Sequence, residues 1–383
     1  MSVLRIDPAP RYTCTTCGDC CRSPWAVLMP AHEAEALRAR DLAALGRAPD
    51  ASVIPGPAGL WQLAKAPGST ACVFLDDDRL CAIHKAWGEA AKPTPCRRFP
   101  FLHVASDEHV WVTANYGCKA VSEGRGAPIT AQAEAIAALF PKDIGEADPD
   151  ADTVYPLTPA VDLDTASLDA LLDRLFAAMG DRLSHAMRQL ALFAAQAPEI
   201  PTPSALQQTP PQRAPGPVRY AFALTLYADL VDQSRFWDRL RGIWVLPRVL
   251  GFGHVYRSRL LDAPVSMRAV AAHPGALPAA GEALLIEVMR SRLRSRRVFK
   301  DVPSAVSGIT RLLLQIDAVL YFARALATGR DITEDDVRRA LRTVELYIAN
   351  QAVVSALSRL DPRLAGFHAD PAVALGAAEL FAV

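Results

Sequence analysis

The chain has 383 residues, 51% hydrophobic and 21% charged, with 41 Lys+Arg against 41 Asp+Glu. That length predicts two or three domains with room for sizeable cores. A net charge of zero argues against a duplex-coating protein and against a polybasic membrane binder, so neither nucleic acid nor membrane is expected as a partner.

In chain order, the opening MSVLRIDPAPRY lacks a basic segment followed by an apolar stretch, so no secretory signal is read and a cytoplasmic location is expected. Trp25–Met29 is apolar and strand-like. Pro30 suits the first turn of a helix running to about Leu45, with Glu33 and Glu35 near its positive end. Ala34, Leu37, Ala44 and Leu45 would face inward on it, and Gly46 would stop it. Between Pro49 and Ser69 the chain is rich in Pro, Gly and Ser, with one candidate strand at Leu60–Lys65. Cys72–Leu75, the Asp76-Asp77-Asp78 turn and Leu80–Ile83 follow. Phe99–Ala105 and Val110–Ala114, parted by Ser106-Asp107-Glu108, read as a hairpin.

After Gly126 the pattern turns helical. Asp164 or Thr165 can cap a helix whose apolar positions run from Leu168 to Leu190 at three-four spacing, with Gly180 inside it. Pro198 to Pro217 holds seven prolines in twenty residues and reads as a stiff, extended linker. Beyond it, Ile309, Leu312, Leu313, Ile316, Val319, Leu320 and Ala323 form one helical face, ended by Gly329. Arg311, Asp317 and Arg324 interrupt this most apolar run; they would be costly at hydrocarbon depth, so a soluble helix is expected. Thr333 with Asp336 has the form of a capping box, with Ile332 against Val337 as its staple. No repeat period emerges. The expected fold is α+β: a small, irregular cysteine-rich metal-binding domain at 1–125, a helical extension at 126–197, the linker at 198–217 and a mostly α-helical domain at 218–383.

The 8 cysteines are Cys14, Cys17, Cys20, Cys21, Cys72, Cys81, Cys96 and Cys118. Random placement would confine all of them to the first 118 positions with a chance on the order of one in ten thousand. A reducing compartment favours thiolate–metal ligation over disulfides. In Cys14-x2-Cys17-x2-Cys20-Cys21, two-residue gaps let a tight loop aim sulfurs at one centre, and Gly18 permits positive φ. The triple spacing is also the one by which bacterial-type ferredoxins hold three corners of a [4Fe–4S] cluster. Adjacent Cys20 and Cys21 diverge on extended backbone, so one of them either serves a second centre or is simply buried. Cys72 and Cys81 flank an acidic turn, and Pro95 places Cys96 on a rigid loop rather than in a continuous helix. Arg97, Arg98 and Lys119 either offset a thiolate cluster's charge or are ordinary solvated charges.

These phrases carry a resemblance. Cys-x2-Cys-x2-Cys-Cys, then Cys72-Val-Phe-Leu…Cys81-Ala-Ile, then Cys96-Arg-Arg-Phe-Pro, is similar to the CxxCxxCC family of zinc- or iron-chelating proteins over roughly residues 12 to 122. Lys92-Pro93 stands where that family usually has Arg-Pro. Among its longer members the chain resembles the flagellin lysine-N-methylases, which join a cysteine domain to a helical remainder. The resemblance implies an iron–sulfur or zinc centre. For the methylases it also implies methyl transfer from S-adenosylmethionine to lysines of flagellin or another protein.

No catalytic or donor-binding residue is identified. Gly251-Phe-Gly253 is the nearest approach to a glycine-rich loop and reads better as a turn. The radical-type Cys-x3-Cys-x2-Cys spacing is absent. His84, His103 and His109 lie near the cysteines, but eight thiols already suffice as ligands. Arg290, Arg292, Arg294, Arg296, Arg297 and Lys300 form a basic run, read as a solvated helix end in preference to an anion site. The six tryptophans are scattered and read as packing. Iron is favoured over zinc on the triple spacing, with the eight cysteines as the ligand pool. The alternatives are a structural zinc in a non-enzymatic protein and an electron-transfer or metal-handling role.

Overall fold

A computed structural model of the chain describes residues 3–140 apart from 24 and 106–108. It further describes 155–158, 161–196, 222, 255–299 apart from 259, 302, 304–349 and 371–380. The proline-rich stretch 198–217, Gly251, Gly253, the turn 106–108 and Lys300 lie outside the described residues. The fold is α+β, with a cysteine-bearing N-terminal region of short strands and helices followed by a helical region.

The hairpin expected from the alternating pattern pairs Phe101–Ala105 antiparallel to His109–Ala114. Val3–Ile6 adds a third strand, parallel to His109–Ala114, with Leu4 opposite Val110. A second three-stranded sheet sets Leu28–Met29 and Val53–Pro55 on either side of Trp61–Leu63. The helix after Pro30 ends at Arg38, well short of Leu45. The chain turns there to bury Leu42 rather than Ala44, which is exposed. Gly46 closes the following 3-10 turn at φ +66°, the left-handed region that glycine occupies without Cβ strain.

Asp164 caps the helix Thr165–Met179, accepting from the Ser167 amide at 2.7 Å. The long apolar stripe is two helices, not one. At Gly180 (φ 60°, ψ −155°) the chain leaves helical geometry, and Leu183–Gln196 restarts it. Leu168, Leu175, Met187 and Leu190 stay buried across the break, so the periodicity survives while the axis does not.

The helix Ala305–Leu326 is covered on every side, not on one face. It is the one helix among the described residues long and apolar enough to cross a membrane, and 89% of its apolar window is buried inside the protein, as in a core helix. Burial pushes the Asp317 carboxyl well up, against the pull of Arg324. Thr333 and Asp336 form the expected capping box, with Ile332 and Val337 buried beside it.

The basic run departs most from expectation. Arg292 is ion-paired to Glu345, and both side chains are buried. Arg294 reaches Asp7 at 3.3 Å and Glu287 at 2.6 Å. Arg296 pairs with Asp169 and lies over the Trp111 ring at 4.4 Å, while Arg290 donates to the Gly180 carbonyl at 2.8 Å. The helix Ala279–Arg294 lies between the N-terminal sheet and the later helices. Guanidinium groups on several of its faces therefore meet carboxylates and carbonyls instead of water.

Two hydrophobic cores result. The smaller comprises Val27, Met29, Ala34, Leu37, Leu42, Val53, Leu63, Cys72, Phe74 and Ile83, with Cys21, Cys81 and Cys96 packed against it. The larger runs from the hairpin through all the long helices.

Candidate metal centre

The cysteine loop begins with two left-handed residues, Thr16 (φ 54°) and Gly18 (φ 73°). A Cβ on Gly18 would lie 3.0 Å from the Arg79 carbonyl, so glycine is needed there for both conformation and space. The loop then enters the single helical turn Asp19–Arg22. Cys20 and Cys21 therefore sit on helical rather than extended backbone, and their sulfurs are 4.0 Å apart. A tetrahedral zinc with bonds of about 2.3 Å places its sulfurs about 3.8 Å apart, so this pair already spans one ligand edge.

The other thiols arrive from three further loops. The Cys72 amide donates to the Cys21 carbonyl at 2.7 Å, tying the second phrase to the first. The acidic turn closes through the Asp76 amide on the Leu80 carbonyl at 2.9 Å, with Arg79 in the left-handed region, and Leu75 bridges Cys81. Cys96 is not on an open loop. Pro95 stands in the first turn of the short helix Thr94–Arg98, where its missing N–H costs nothing, and the Thr94 amide is held by Glu33 at 2.9 Å. Cys118 precedes the helix Lys119–Ser122.

The sulfurs form two overlapping electrostatic groups. Cys96 is raised by burial and then by Cys72 and Cys81; Cys72 is raised by burial and by Cys81. Cys118 is pushed up to about 11 by burial, with Cys17 and Cys20 adding to it. Burial raises the Tyr12 hydroxyl, and Cys14, Cys118 and Cys20 add to that. Cys20 belongs to both groups and is raised first by its hydrogen bond to Cys21, then by burial. Cys14 is exposed and Cys72 buried; the other six lie between. Among the described residues, no three His, Cys, Asp or Glu side chains converge on one point at ligating distance. Ligation of one ion by three or more of them requires their sulfurs to come closer together than they stand here.

The cations that register on these thiols are Lys65, which the sequence reading did not single out, and Lys92, which it marked only as part of the Lys92-Pro93 phrase. Lys92 lowers Cys20 and Cys96. Lys65 donates to the Ser23 carbonyl at 2.9 Å; burial lowers it, while Cys72, Cys21 and Cys96 oppose that shift. Arg97 bonds Thr94, Arg98 bonds the Leu139 carbonyl, and Lys119 lies 4.0 Å from Glu123. His84 is exposed, His103 stacks on Phe140 at 4.5 Å and His109 on Trp111 at 5.4 Å.

Set beside known proteins, the chain finds no match among curated sequences and none among solved structures. Residues 13–119 match the model of the CxxCxxCC family, described as a "putative zinc- or iron-chelating domain". That match encloses all eight cysteines and supports this family, with its zinc- or iron-type metal, for the cysteine region.

Proposed function

We propose that the eight cysteines ligate a metal centre, a [4Fe–4S] cluster in preference to zinc, in a cytoplasmic protein similar to the flagellin lysine-N-methylases. What supports the metal reading is the family match that encloses all eight cysteines, together with the 4.0 Å Cys20–Cys21 sulfur pair and the electrostatic coupling of thiols brought together from separate segments. Buried together, such thiols hold their protons; a bound cation removes that cost by taking the thiolates as ligands. Lys65 and Lys92 then offset the negative charge that several thiolates leave. The iron preference rests on the triple two-residue spacing. Enzymatic activity would be transfer of a methyl group from the sulfonium of S-adenosylmethionine to a deprotonated lysine amine, which loses a proton as the thioether departs.

A second reading is a structural zinc, and the 4.0 Å Cys20–Cys21 separation favours it. Anaerobic purification with an absorbance spectrum and metal analysis, on wild type and Cys17→Ser, separates the two. Iron with absorbance near about 400 nm, lost in the variant, supports the cluster; colourless stoichiometric zinc supports the structural reading. Incubation with flagellin and labelled S-adenosylmethionine tests the methylase step. Absence of label in that or any other protein substrate removes it.

A further inference from the structure

The cysteines divide between the two cores. Cys72 is part of the smaller one, and Cys21, Cys81 and Cys96 pack against it. Backbone bonds tie three of these four together. The Cys72 amide donates to the Cys21 carbonyl at 2.7 Å, Cys81 bridges Leu75, and the Ala82 amide donates to the Phe74 carbonyl at 2.8 Å. Cys118 packs instead against the larger core, as does Tyr12, two residues before Cys14. Arg11–Tyr12 pairs with Ala127–Pro128, and the Gln132 amide nitrogen donates to the Tyr12 carbonyl at 2.9 Å. The helix Lys119–Ser122, which Cys118 precedes, lies against the same strand. Cys14 and Cys118 are thereby anchored to one part of the larger core.

Cys20 and Cys21 stand where the two sets meet. On the helical turn Asp19–Arg22, neighbouring side chains are rotated by about 100° from each other. Cys21 turns to the smaller core, so Cys20 projects from an adjacent face, with Cys17 and Cys14 three and six residues before it. Sulfurs 4.0 Å apart are in contact, as ligands of neighbouring centres are, and need not share an ion. Charge follows the same division. Lys65 is acted on by Cys72, Cys21 and Cys96, and Tyr12 by Cys14, Cys118 and Cys20. Cys20, at the junction, acts on Cys72 and Cys96 as well.

Resting on the metal reading above, we propose that the cysteines form two four-thiolate centres in place of one. Cys21, Cys72, Cys81 and Cys96 hold an ion or cluster closed in by the smaller core. Cys14, Cys17, Cys20 and Cys118 hold a second, on the side of the larger core. Four thiolates complete the shell of a zinc ion or the corners of a [4Fe–4S] cluster, so the eight fill two centres with none left over. The triple two-residue spacing falls wholly in the second set, with Cys118 as its distant fourth member. Cys14 is exposed while Cys72 is buried, so the second centre lies nearer solvent.

The test is metal analysis of anaerobically purified, full-length protein, with N-ethylmaleimide labelling under native conditions and mapping of the labelled cysteines by mass spectrometry. Wild type is expected to carry two centres, and the analysis tells zinc from iron in each. Cys118→Ala is expected to lose the metal of one centre and to expose Cys14, Cys17 and Cys20 to label while Cys21, Cys81 and Cys96 stay protected. Cys96→Ala is expected to lose the other centre and to expose Cys21 and Cys81 instead. Cys14→Ala and Cys81→Ala serve where either variant fails to fold. Metal for a single centre in wild type, loss of all metal in both Cys14→Ala and Cys118→Ala, or joint labelling of Cys20 and Cys21 in every variant overturns the partition and leaves the metal reading intact. Metal-free wild type removes the metal reading, and the partition with it.

Discussion

The two cores hold their surroundings together by different means. In the helical region, long helices cover one another, and side chains such as Phe193, Leu313 and Phe322 are 2% exposed or less. Area alone can carry that part of the molecule. The smaller core gathers ten buried residues from strands of two or three residues, from helices of six and eight, and from the loops between them. Its apolar contacts continue directly into Cys21, Cys72, Cys81 and Cys96. If its cysteines hold a metal as proposed, that ion is what would close a region so irregular. On the proposed reading, ligation substitutes for packing on one side of the molecule; on the other, packing needs no help.

The largest effect that would break this contrast is metal removal. Structural ligation is worth about 10 kcal/mol or more in small metal-held domains. Chelation is therefore expected to expose residues 14–98 to limited proteolysis while the hairpin and the helical region keep their circular dichroism. A single cooperative loss of both would contradict the division. The pH dependence sharpens it. Burial raises Cys72 and Cys118, so in the folded state they keep protons that an unfolded thiol would release. Metal-free protein should be most stable below the ordinary thiol pKa of about 8.5 and lose stability as pH rises past it. Metal-bound protein should show no such loss, because its thiols are already ionised on the metal.

Next in size is Phe322→Ala in the larger core, expected to cost about 3–5 kcal/mol by chemical denaturation and to leave metal content untouched. Asp7→Ala should cost about 2 kcal/mol, since the carboxylate holds Thr113 at 3.0 Å and Arg294 at 3.3 Å across the junction of the first sheet and the helices. Smallest is Thr333→Ala, about 1 kcal/mol for a lost helix cap. Its partner Asp336 is held well below the usual carboxylate range by the Arg330 hydrogen bond. Its contribution is therefore present above about pH 4 and disappears as acid protonates it.

What could be read from the chain was local. The Asp164 cap, the Thr333–Asp336 box and the hairpin depend on residues a few positions apart, and all three stand in the structure. The cysteine phrases were visible for the same reason. Long-range partners set what was not. The alternating arginines at 290–296 look solvated until Asp7, Asp169 and Glu345 arrive from distant parts of the chain. Val3–Ile6 becomes a strand only by lying beside Val110 and its neighbours. Lys65 stands alone in sequence, and only folding sets its charge against Cys72, Cys21 and Cys96. The helical turn at Cys20–Cys21 was hidden because the cysteine pair says nothing by itself about its backbone.

The measurement closest to the central claim is X-ray absorption at the metal edge of anaerobically purified, full-length protein, beside Cys20→Ser. The account predicts iron or zinc in a sulfur shell at about 2.3 Å. Because Cys20 is electrostatically coupled to both thiol groups and its sulfur lies 4.0 Å from that of Cys21, its substitution should deplete the metal or bring in oxygen or nitrogen ligands. A protein that binds no metal, or a metal shell without sulfur that Cys20→Ser leaves unchanged, would contradict it.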